Sequence, residues 1–167
     1  MRFGGQIEDL AGDLPDLEFV WEPGTEILSG KINEQEGMLG YTGSIEFEDG
    51  RGAVLTLDFQ QGGFVGIEIV VWPAAKVVED LGAPKPSRQG RLVVPARPSQ
   101  PGIAIMEIDV PIAARKGPDG SIIHLQVGEL GAKDWVHVAN GLMLELDRFG
   151  DLAGFWLIDV PPCPPPS

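Results

Sequence analysis

Gly52-Ala53-Val54-Leu55-Thr56-Leu57-Asp58, followed by Gly66-Ile67-Glu68-Ile69 and then Pro73, comes back later in the chain. It returns as Gly141-Leu142-Met143-Leu144-Glu145-Leu146-Asp147, then Gly154-Phe155-Trp156-Leu157, then Pro161. A Leu-Gly pair precedes each copy, Leu39-Gly40 and Leu130-Gly131. Self-similarity at fixed spacing marks one supersecondary unit used twice. Side chains on a strand switch faces at every residue. Leu55 and Leu57 therefore share one face, as do Ile67 and Ile69, Leu144 and Leu146, and Phe155 and Leu157. These eight are the expected core.

Around the repeat, 23 glycines and 15 prolines punctuate short alternating runs, an all-β pattern. Leu17–Trp21 and Glu26–Ile32 flank Glu22-Pro23-Gly24-Thr25, where Pro presets φ and Gly accepts φ > 0, as a type II turn requires. Tyr41–Glu48, Ala53–Phe59 and Phe64–Trp72 complete the first half. In the second, Ile103–Val110 and Ser121–Val127 flank a turn region containing Gly117-Pro118-Asp119-Gly120. Trp135–Val138, Leu142–Asp147 and Leu152–Val160 follow. Pro73, Ala74–Leu81 and a Gly82 cap predict one short helix.

The expected fold is mainly β, with two pseudo-symmetric antiparallel strand-meander units packed together and one short helix after the first. A meander with one apolar face cannot bury it alone. Residues 1–82 form the first unit. Residues 83–101 read as a basic Pro-rich linker, with Arg91-Leu92-Val93-Val94 as a short edge strand. Residues 102–167 form the second unit with its Pro-rich tail, and the two units stand apart or make one compact domain.

The net charge of −13 argues against a nucleic-acid partner, because phosphate binding is driven by Lys and Arg. Residues 1–82 hold 16 acids and 4 bases, and residues 102–167 hold 9 acids and 4 bases. Between them Lys85, Arg88, Arg91 and Arg97 stand without an acid. This strip is either a strap across an acidic surface, held by screened attraction, or a recognition strip for an anionic ligand. No apolar run approaches the ~20 residues of a membrane span. The first residues show no signal-peptide core. Cys163 is the single cysteine, so no internal disulfide forms, and a cytoplasmic location is expected.

The stretches Val54-Leu55-Thr56-Leu57-Asp58 and Gly66-Ile67-Glu68-Ile69-Val70 resemble a small prokaryotic family, the domain of unknown function numbered twenty-two eighty-three. Leu144-Glu145-Leu146-Asp147 and Gly150 match its pattern again, while Phe155-Trp156-Leu157 departs from the Ile-Glu-Ile of the family. The chain thus looks like a tandem duplication of that domain, over about residues 26–72 and 121–160. The resemblance implies a meander and no catalytic residues. It points toward protein binding, since some members look like partners of small toxin-like proteins.

Asp58 and Asp147 each end an apolar strand before a Gly-containing turn, where a carboxylate can accept turn N–H groups. Glu68, between Ile67 and Ile69, faces away from the core or guards an edge strand. His124 and His137 lie in successive strands. If these pair about Leu130-Gly131 the two rings face each other, with Glu129 or Asp134 as a third metal ligand; a one-residue slip separates them. Trp21 and Trp135 are expected to cover the core, and Trp72 and Trp156 to mark an exposed interaction patch. Cys163 has no neighbouring base. The tail from Pro161 to Pro166 should be extended and exposed.

No catalytic residues, cofactor or metal are therefore assigned. The first function class is a non-enzymatic interaction module with a protein partner or with a second copy through a strand edge. A small-ligand binder with a pocket between the units comes second, and a metal-dependent hydrolase using His124 and His137 third.

Overall fold

The computed structural model describes residues 5–32, 42–94 and 104–164. Leu39-Gly40, Tyr41, Arg97, Ile103 and Pro165-Pro166 lie outside the described residues. The strands are β1 (Gln6–Asp9), β2 (Leu17–Trp21), β3 (Leu28–Ile32), β4 (Thr42–Glu48), β5 (Val54–Gln60), β6 (Gly63–Val71) and β7 (Ala75–Val77). They continue with β8 (Arg88–Val93), β9 (Ala104–Asp109), β10 (Ile112–Lys116), β11 (Ile122–Val127), β12 (Asp134–Ala139), β13 (Leu142–Leu146) and β14 (Leu152–Ile158). No helix occurs among the described residues.

The strands join into one curled, open sheet in the order β7-β10-β11-β14-β13-β12-β8-β6-β5-β4-β9. β1 pairs with β8, and β2 reaches the sheet through β3, which pairs with β6. Two antiparallel meanders, β4-β5-β6 and β12-β13-β14, form its body. The two halves exchange their outermost strands. β7 from the first half adds in parallel to β10, and β9 from the second adds in parallel to β4.

All eight expected core residues are buried. Phe47, Phe59, Leu28 and Leu125 join them in one cluster that runs through both halves. The Glu22–Thr25 turn forms with Gly24 at φ 77° and the Thr25 N–H on the Glu22 carbonyl. Pro has its fixed φ at the position before Gly, as that turn demands.

The helix expected over residues 73–81 is absent. Ala75–Val77 is instead strand β7, whose parallel pairing with Ala114–Lys116 satisfies backbone groups that a lone turn of helix would leave open. The supposed linker is also corrected. Residues 88–93 form β8, which is not an edge strand: it pairs with β12, β6 and β1 and so joins the two meanders. Its Arg88 lies within ion-pair distance of Asp9 (3.5 Å) and Asp134 (3.2 Å). β11 takes β10 and β14 as neighbours, so Ile112–Lys116, assigned to a turn region above, is a strand.

Candidate functional site

One face of the second half carries a polar cluster that is almost closed to solvent. Cross-strand pairing places Arg115 beside His124, His124 beside Trp156, Trp156 beside Met143, and Met143 beside His137, in one row across β10, β11, β14, β13 and β12. The adjoining row holds Gln126, Gly154, Glu145 and Trp135. Both β13 and β14 are buried on both faces, so a charge there needs partners.

Glu145 has them. Its Oε1 meets His124 Nε2 at 2.6 Å, and its Oε2 accepts the indole N–H groups of Trp135 (2.9 Å) and Trp156 (3.0 Å). His124 and Glu145 stand on strands separated by β14, roughly 9–10 Å apart at the usual strand spacing. Gly154 lies between them, and a Cβ there would stand 2.5 Å from Glu145 Oε1 and 2.6 Å from the Leu125 carbonyl. The missing side chain is thus the opening through which the carboxylate reaches its histidine.

On the far side of the ring, Arg115 approaches His124 Nδ1 at 2.9 Å. A guanidinium only donates, so Nδ1 accepts, and the ring proton sits on Nε2 and points at Glu145. The imidazole also lies 4.5 Å from the Trp156 ring centroid. Burial pushes the Glu145 carboxyl up. The hydrogen bond from His124, with the Trp156 and Trp135 donors, outweighs that and holds it below its ordinary value. Every nitrogen and oxygen of the His124–Glu145 pair has a partner, and both residues are about 5% exposed. The arrangement rigidifies the sheet and leaves no ring nitrogen for a substrate.

Three expectations change here. His124 and His137 do not face each other: β14 and β13 stand between their strands, so neither Glu129 nor Asp134 completes a metal site with them. Among the described residues no three His, Cys, Asp or Glu side chains gather to hold a metal ion. Trp156, expected to be exposed, is buried, and Trp135 serves Glu145 instead of covering the core. His137 is partly buried, which lowers its pKa.

The aspartates also part company. Asp147 accepts the Phe149 N–H at 2.8 Å and the Asp151 N–H at 3.1 Å, as an acid in a turn does. Asp58 sits inside β5, not in the turn, and faces Gly66. Burial raises its pKa, the charge of Glu68 adds to the rise, and Lys31 opposes it. Asp49, not singled out above, ties the halves together: its Oδ2 accepts the Ile112 N–H at 2.8 Å. Glu68 lines a shallow groove of about 420 Å³ with Glu18, Glu22 and Lys31, away from Trp72.

A larger cleft, about 470 Å³, opens where both halves contribute. Trp21 from β2, Trp72 after β6, Lys116, Ile123 and the start of the tail at Pro161 line it. The two indoles stack with centroids 5.8 Å apart and planes inclined by 26°. Each N–H is already used, Trp72 on the Glu26 carbonyl (2.6 Å) and Trp21 on the Pro161 carbonyl (2.8 Å). Pro161 is thus half-buried, whereas Pro162, Cys163 and Pro164 are exposed as expected. This cleft brings together ring faces, Lys116, Glu26 and Asp119, Cys163 and exposed prolines.

No family model matches the chain, and no curated protein matches it either.

Proposed function

We propose that this chain is a non-enzymatic protein-interaction module that receives its partner in the Trp21–Trp72 cleft. The observation that carries this reading is the stacked indole pair, pinned by two backbone carbonyls in an open cleft. Large aromatic rings held rigid before binding lose little entropy on binding, and such residues dominate interface energetics. The histidine-carboxylate pair is absorbed by structure, which favours binding over chemistry. The two meanders enter the same reading as copies of one unit: the matched glycines Gly66 and Gly154 each face an acid across a hairpin. A cytoplasmic setting fits a chain with one cysteine.

The test is a photo-crosslinker at position 116, beside the indoles, in cells that make the protein. A captured partner is identified and the complex rebuilt from pure components. Trp72→Ala should weaken that complex by about tenfold or more, the range of an interface anchor. Equal affinity in the variant would sink the reading. The cleft volume also suits a small ligand. A small molecule that co-purifies with the protein and is lost in Trp72→Ala would favour that second reading.

A further inference from the structure

We propose that the Trp21–Trp72 cleft is a polyproline groove, seated in cis by Pro161 of the tail and opened when a proline-rich segment of the partner displaces that tail. This rests on the cleft being the interaction site and names the chemistry it reads.

The seat is already drawn by the chain itself. β14 ends at Ile158, and the Val160 N–H still pairs with the Ser121 carbonyl at 3.0 Å. At Pro161 ladder pairing is no longer available, because proline has no N–H. Its carbonyl turns instead to the Trp21 indole, 2.8 Å away. A polyproline helix makes no internal hydrogen bonds, so its carbonyls all await an outside donor. An indole N–H beside a second ring face is the pairing by which aromatic grooves hold such segments. Trp72 supplies the ring face: its own N–H is fixed on Glu26, so it offers no competing donor.

The conformation of the occupant follows from sequence. Pro161 precedes Pro162, and Cys163 precedes Pro164, and a residue before proline is pushed to extended or polyproline II backbone. The fit in cis is partial. Pro161 is half-buried, but Pro162 and Pro164 are exposed, so one proline does the seating. A longer proline-rich segment covers more of the cleft than the tail does and reuses the Trp21 donor. Lys116 and Asp119, both exposed and of opposite charge, also line the cleft, where residues flanking the prolines would meet them.

The experiment uses the full chain, labelled with nitrogen-15, and follows its four tryptophan indole N–H signals during titration with decaproline, with a Gly-Ser decapeptide as control. The Trp21 signal should move saturably with decaproline alone, while those of Trp135 and Trp156, held on Glu145, stay still and report an intact fold. A Pro161→Gly, Pro162→Gly chain, with its tail loosened, should bind decaproline about fivefold more tightly, because the competent state is no longer masked. Trp72→Phe should keep binding and Trp72→Ala lose it. No Trp21 shift at millimolar decaproline in either chain overturns the proline chemistry. Equal affinity in the two chains overturns self-occupancy. If decaproline fails while the rebuilt partner complex still depends on Trp72, the interaction site stands and only its ligand class is wrong. A Trp21 shift that grows with protein concentration without peptide would assign the tail to a second copy and overturn the seat in cis.

Discussion

The hairpins around Gly66 and Gly154 begin from matching sequence and end in opposite chemistry. In the first, Thr56 faces Glu68 and Asp58 faces Gly66; in the second, Met143 faces Trp156 and Glu145 faces Gly154. The repeat aligns Asp58 with Asp147 and Thr56 with Glu145, so the second hairpin is slid by two residues. A slide of two keeps every side chain on its face but changes what stands opposite. Around Gly66 the acid is partly buried and meets another acid and one lysine, and its proton is held more firmly. Around Gly154 the acid meets two indoles and an imidazole, and its proton is given up more readily. The same backbone opening serves a half-buried acid beside a like charge in one place and a fully partnered buried acid in the other.

The largest effect expected from breaking this contrast is at Glu145. Glu145→Ala strands two indole donors and the imidazole, and should cost about 3–5 kcal/mol in urea unfolding, as for one partner removed from a buried pair. Asp58→Ala should move the midpoint little or upward. A Glu145→Ala chain as stable as the parent would mean that water replaces the carboxylate. Next comes the glycine itself. Gly154→Ala drives a Cβ into the Leu125 carbonyl and should cost about 1–3 kcal/mol. Gly66→Ala meets the Gly30 carbonyl at a less severe 3.0 Å and should cost less.

Trp135→Phe removes one donor to an ionised group and should cost about 1.5–3 kcal/mol, and less when Glu145 is already Gln. Full additivity in that double variant would show that the indole and the carboxylate act independently.

The smallest effect is the most diagnostic, because the two acids should give slopes of opposite sign. Glu145 has a lowered folded value, so its stabilisation is present above its ordinary 4.5 and lost as pH falls through the folded value. Asp58 has a raised folded value, so its contribution is present below its ordinary 3.8 and lost as pH rises through the folded value. Urea midpoints from pH 7 to 3 should show Glu145→Gln removing an acid-side loss and Asp58→Asn removing a neutral-side loss. Slopes of the same sign would dissolve the comparison.

The strands were legible because alternation was clear. Val54-Leu55-Thr56-Leu57-Asp58 announces one apolar face, and all eight core positions follow from that rule. β13 and β14 carried a different signal: Leu142-Met143-Leu144 and Phe155-Trp156-Leu157 are apolar on both faces, as in a strand covered on both sides. An acid in such a run must be buried and paired, which would have pointed to Glu145. The histidine to pair with it was not legible, since β11 meets β14 only through a long-range connection. β7 and β8 were hidden for a related reason. Short segments near prolines become strands when a distant neighbour supplies the ladder, and local propensity carries no trace of that neighbour.

The exchanged outer strands make each half an incomplete template. A chain cut between residues 94 and 104 leaves the first piece without β9 along β4 and the second without β7 beside β10 and β8 beside β12. Neither piece should hold its structure in isolation, yet mixed at equal concentration they should reassemble, because each carries the strand that the other lacks. The molecule is therefore suited to serve as a split reporter, silent as two fragments and restored on meeting, with slow recovery dictated by contacts far apart in sequence.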